Sequence, residues 1–98
     1  MIRPEVQQLV NLGPFPASSD VDEQDIDRRS AILISITPPV NREEALALLT
    51  CFGPDEAFGL AWTLLHLIET VPGSLPIASE PAASENEWIR RLWARSHR

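Results

Sequence analysis

The stretch Ala57–Ile68, AFGLAWTLLHLI, limits more than any other feature what this chain can fold into. Only Gly59, Thr63 and His66 interrupt its apolar character. A helix that is apolar nearly all round has to be a central one, covered on several sides at once. Pro54 suits a first helical turn, so a helix over 54–70 is expected. Phe58, Ala61, Trp62, Leu65 and Ile68 would form one face, with Leu60, Leu64 and Leu67 covering much of the rest. Gly59 costs about 1 kcal/mol against alanine inside a helix, which suggests a close helix crossing there. A membrane span needs about 20 apolar residues, so no span is expected.

Helices must surround that segment, and the flanking sequence supplies them. Pro4 followed by Val6, Leu9 and Val10 reads as a first helix, ended by Gly13-Pro14. Ser19 or Asp20 can cap a second, which runs through DVDEQDIDRRSAILISI until TPP stops it. Its last part, residues 31–36, would also suit a short strand; length and the acidic start favour the helix. Asn41 and Glu44 make a capping box for a third helix over 42–52, with Ala45, Leu48, Leu49 and Phe52 buried and Gly53 closing it. Pro54 follows at once, which would force this helix and the central one into a hairpin. Ser84 and Glu87 make a second capping box, before a stripe of Trp88, Ile89, Leu92 and Trp93. The expectation is an all-α fold: a single helical domain over 1–98, four to five helices around the central one, with loops near 13–19 and 71–83.

Charge narrows the partners. The net charge is -6, which argues against nucleic acid and anionic membranes. The acids cluster: Asp20, Asp22, Glu23, Asp25 and Asp27 lie within eight residues, and Asp55 and Glu56 open the central segment. These seven residues are the candidate partner-binding site, an electrostatic footprint for a basic protein. The cluster fails as a calcium loop, because Gln24 and Asp25 stand where a ligand and the turn glycine belong, and Ala31 replaces the closing glutamate. Arg90, Arg91, Arg95 and Arg98 reverse the sign at the far end, where a helix C-terminus favours cations.

Catalytic chemistry finds little support. His66 and Glu69 are spaced to share a helix face, but two histidines and one cysteine are too few for a structural zinc site, and neither metal nor cofactor is expected. His66 is read as a packing residue with one polar edge free. Cys51 beside Leu49 and Phe52 reads as a small buried hydrophobe, and one cysteine permits no intrachain disulfide. No glycine-rich phosphate loop or G-x-S-x-G turn is present. MIRPEVQQLV lacks the basic-then-apolar layout of a signal peptide, so a cytoplasmic location is expected.

The blocks Phe52–Asp55 (FGPD) and Gly59–Thr70 (GLAWTLLHLIET), with NEWIRRLWAR after them, resemble a family of small uncharacterised actinobacterial proteins. The likeness runs from Ile36 onward and implies no activity. In size, acidity and helix content the chain is also similar to immunity proteins that neutralise secreted nuclease toxins. The expected function is therefore non-enzymatic: an immunity- or antitoxin-type inhibitor of a basic toxin protein. The alternative is a structural or scaffold protein, such as a homodimer, joined through exposed Trp88 and Trp93; a small enzyme comes third.

Overall fold

Five helices follow one another in chain order: α1 (Pro4–Asn11), α2 (Glu23–Ser35), α3 (Arg42–Leu48), α4 (Leu60–Ile68) and α5 (Glu87–Ser96). Short 3-10 turns occupy Ser18–Asp20 and Leu49–Cys51. The computed structural model describes residues 1–20, 22–77 and 79–97, together with all side chains of these except that of Asp20. No strand occurs among the described residues, and the fold is an all-α bundle. Residues 31–35 complete α2, and the backbone turns extended only at Ile36, ahead of the prolines. No described helix is long and apolar enough to cross a membrane.

The central position of α4 follows from its composition. Leu60, Ala61, Leu64, Leu65, Leu67 and Ile68 are all buried. They meet Val6 and Leu9 of α1, Leu33 of α2, Ala45 and Leu48 of α3, and Trp88 and Leu92 of α5 in one core. Cys51 lies fully inside that core.

Several boundaries differ from expectation, each for a local reason. The helix expected over 54–70 begins only at Leu60, because the chain is left-handed at Ala57 (φ 47°), Phe58 (φ 55°) and Gly59 (φ 89°). Gly59 is therefore no helix-crossing residue. A side chain there would meet open space, and what the position requires is a positive φ. The connection from α3 to α4 spans a 3-10 turn and this irregular stretch, so the tight hairpin expected of the two helices does not form. Gly53 serves a different purpose from helix closure: a Cβ there would overlap the carbonyl of Phe15, which packs directly over it. Asp22, not Ser19 or Asp20, caps α2 by accepting from the Gln24 N–H at 2.9 Å. Asn86, not Ser84, caps α5, accepting from the Trp88 N–H at 2.8 Å.

The capping box of α3 forms as expected, but its glutamate does more than cap. Glu44 is buried and receives the Asn41 N–H at 3.0 Å and the Arg3 backbone N–H at 3.1 Å. The Arg3 guanidinium grips the same carboxylate, with Nε at 2.8 Å and Nη2 at 3.2 Å. Burial disfavours the charge, yet the hydrogen bonds from Arg3 and Asn41 outweigh it and hold the carboxyl at about 2. A second arginine anchors the other end of α1. Arg29, buried on α2, donates to the Gly13 and Leu12 carbonyls at 2.8 and 2.9 Å while pairing with Asp25 at 2.8 Å.

Two outcomes are expected. Because the folded pKa of Glu44 lies below its ordinary value of 4.5, its contribution is full above that value and lost as pH falls toward 2. Acid unfolding followed by circular dichroism should show this limb, and Glu44→Gln should flatten it at a cost of about 2 kcal/mol at neutral pH. Leu64→Ala and Leu65→Ala should each cost about 2–5 kcal/mol by urea denaturation; losses under about 0.5 kcal/mol at both would contradict a central α4.

Candidate functional site

One carboxylate of the two acidic groups is engaged within the fold rather than offered to solvent. Asp55 accepts the Ser18 N–H at 2.9 Å, the Ser18 hydroxyl at 3.0 Å and the Ala57 N–H at 3.0 Å. The two backbone donors hold its carboxyl below the usual carboxylate range. These bonds fasten the stretch before α4 onto the 3-10 turn that leads into α2. The segment that carries Asp55 and Glu56 is therefore held against the 3-10 turn that precedes the acidic start of α2.

Their members have different roles there. Glu23, Asp27 and Glu56 are exposed, and Asp22 is exposed while it caps α2. Asp25 is half-buried and committed to Arg29, and Asp55 is committed to Ser18. The side chain of Asp20 lies outside the described residues. Four of the seven expected residues are thus exposed to solvent: Asp22, which also caps α2, and Glu23, Asp27 and Glu56.

Sequence reasoning missed Phe58. Helical spacing puts it on a buried face, but 64% of its surface is exposed. The reason lies in the backbone. The Glu56 carbonyl accepts from both the Gly59 and Ala61 N–H groups, at 3.0 and 3.1 Å, and this closes a left-handed turn that turns Phe58 outward. Left-handed backbone costs a non-glycine residue roughly 1–2 kcal/mol, so the turn persists only because the Asp55 bonds and buried Ala57 fix it. An exposed aromatic side chain on a fixed turn beside an exposed glutamate is suited to recognition.

The basic helix α5 is largely occupied with its own neighbours. Arg95 holds Glu69 through two hydrogen bonds, at 2.7 and 3.1 Å. His66 reaches the same carboxylate at 3.2 Å. Arg95 is the main reason that the Glu69 carboxyl lies below its ordinary value. Arg91 pairs with Glu87 at 3.2 Å and lies over the rings of Trp62 and Trp88, at 5.2 and 4.7 Å from their centroids. Trp88 is buried, packed edge-on against Trp62 at 5.0 Å, so it cannot serve as an exposed anchor. Trp93 is half-buried and stacks on His97. Arg98 lies outside the described residues.

The groups with catalytic potential are kept apart. His66 is no core residue: its side chain is 60% exposed and tilted against Trp62. Cys51 is fully buried, and desolvation pushes its thiol up to about 11, which leaves almost no thiolate at neutral pH. Among the described residues, no group of three or more His, Cys, Asp or Glu side chains is placed to hold a metal ion. A cleft of about 530 Å³ lies between Arg42, Val71, Leu75 and His97, and the carboxylate on its wall is the Glu69 already held by Arg95. Comparison with protein-family models, curated proteins and solved structures finds no match, so the site is read from its own geometry.

Asp55→Ala should release the turn: hydrogen exchange at the Ser18 and Ala57 amides should accelerate at least about tenfold, as local opening becomes easier. Glu56→Gln, one residue away and facing solvent, should leave both amides protected. Equal protection in the two variants would contradict the fastening role of Asp55.

Proposed function

We propose that the chain is a non-enzymatic binding protein, an immunity- or antitoxin-type inhibitor that covers a basic surface on a toxin protein in the cytoplasm. The observation that supports it is the Asp55–Ser18 contact, which fastens the segment bearing Glu56 and Phe58 to the 3-10 turn that precedes the acidic start of α2. Exposed carboxylates steer a basic partner toward the edge and raise the association rate. Exposed Phe58, close to exposed Glu56 in the same turn, then supplies apolar contact beside charge. The resemblance to small actinobacterial proteins is compatible with this reading and adds no activity of its own. The alternative of a scaffold joined through Trp88 and Trp93 is weakened, because Trp88 is engaged in the core.

The test uses substitutions chosen for where each acid sits. Asp22→Asn keeps a capping residue, whereas Asp25 has to be left alone because it pairs with buried Arg29. The quadruple variant Asp22→Asn, Glu23→Gln, Asp27→Asn, Glu56→Gln should keep its helicity, since such surface changes stay within about 0.5 kcal/mol each. A basic protein captured from the native host should bind the parent chain at least about tenfold more weakly when salt rises from about 50 to 300 mM. It should bind the variant weakly at both concentrations. Affinity indifferent to both salt and the four substitutions would overturn the reading.

A further inference from the structure

The exit of α4 is fastened beside the start of α3. The Thr70 hydroxyl accepts the Val40 N–H at 3.1 Å and donates to the Leu67 carbonyl at 2.6 Å. The chain then passes buried Val71 and left-handed Gly73 (φ 81°), and the Ser74 carbonyl accepts from Arg42 Nη1 at 3.5 Å. The cleft of about 530 Å³ noted above is therefore built from three parts of the chain: Arg42, the loop over 71–77, and the end of α5 at Ser96 and His97.

Its lining is unequal in charge. Both oxygens of Glu69 are engaged: Oε2 accepts Arg95 Nε at 2.7 Å, while Oε1 accepts Arg95 Nη2 at 3.1 Å and meets His66 at 3.2 Å. That carboxylate is balanced by Arg95. Arg42 has only the long Ser74 contact, and no carboxylate among the described residues pairs with it. Glu43, next in the chain, is paired with the N-terminal ammonium at 3.0 Å. The charge left over in the cleft is thus one guanidinium with most of its donors unspent. Aliphatic carbon supplies the rest of the character: Val71 is buried, and Leu75 and Ile77 are half-buried.

These properties select a ligand. A guanidinium with free donors takes a carboxylate through two parallel hydrogen bonds. A cation would be repelled by Arg42 and would find Glu69 already balanced. Aliphatic lining adds affinity only where hydrocarbon stands behind the charged group. An aromatic body gains less, because the one ring in the lining, that of His97, is stacked on Trp93 at 3.7 Å. We propose that this cleft binds a small aliphatic carboxylate, with its anionic head on Arg42 and its chain against Val71, Leu75 and Ile77. Arg42 is exposed, so binding is weak, with a Kd on the order of millimolar for a chain of about six carbons. The cleft shares no residue with the acidic segments and needs no partner protein, so either reading can fail while the other stands.

Titration of the isotope-labelled full chain with hexanoate, read by amide chemical shifts, tests this directly. Saturable shifts are expected at Gly73, Ser74, Leu75 and His97. Lengthening the ligand from butanoate to hexanoate should tighten binding about two- to fourfold per added methylene. Arg42→Gln should weaken hexanoate at least about tenfold, the usual loss when a hydrogen bond to a charged group is removed. Its spectrum should otherwise be that of the parent chain, because the Arg42 side chain is exposed. Arg42→Lys should recover part of the affinity, since the charge returns without the paired donors. No shift at about 50 mM hexanoate would overturn the proposal. So would binding that Arg42→Gln leaves intact, or hexanol binding as tightly as hexanoate. Acetate or inorganic phosphate binding as well as hexanoate would also overturn it, by showing an anion site without the aliphatic contact.

Discussion

The buried carboxylate of Glu44 is the point on which the first half of the bundle depends. Around it meet the backbone and guanidinium of Arg3, the N-cap of α3, and, through Arg3, the Thr37 carbonyl at 2.8 Å. A helix as short as α1 has no independent stability, because nucleation costs more than its few hydrogen bonds return. It exists here because both of its ends are held. Arg3 ties its start to α3, and Arg29 ties its exit, through Leu12 and Gly13, to α2. Between those two arginines Val6 and Leu9 are set against the core with no freedom to turn away.

A second carboxylate, Asp55, acts in a similar way on the other side, and it links the fold to the proposed function. An acid used internally positions neighbouring acids that are not. By fastening the approach to α4 onto Ser18, Asp55 holds the turn that exposes Glu56 and Phe58 against the 3-10 turn ahead of α2. The chain thus divides its carboxylates into two kinds. Glu44, Asp25, Asp55 and Glu69 each have an arginine or backbone donors committed to them, while Glu23, Asp27 and Glu56 stand in solvent.

What the sequence revealed and what it concealed follow from the range of the interactions. The start of α1 at Pro4, the Asn41–Glu44 box, the burial of Cys51 and the helicity of residues 31–35 were legible, because each depends on neighbours within a turn or two. The burial of Glu44 was not, since the arginine that makes it tolerable is 41 residues away. The late start of α4 was hidden for the same reason. Pro54, Asp55 and Glu56 look like a helix N-terminus until Ser18, 37 residues earlier, claims the aspartate. Phe58 was misassigned as a consequence, because helical spacing puts it on the core face and the left-handed turn puts it outside. Trp88 shows the limit from the other side: its stripe was correct, but only the structure decides that Trp62, Phe52 and Arg91 cover it.

The central claim is that the edge built by Asp55 is the surface a basic partner covers. Hydrogen–deuterium exchange of the parent chain, alone and saturated with the basic protein it captures, tests this most directly, because it reads the footprint without presuming any residue's role. The expected result is added protection over residues 18–28 and 54–61, with α5 unchanged. Protection confined to α5, with residues 18–28 and 54–61 exchanging as in the free chain, would contradict it.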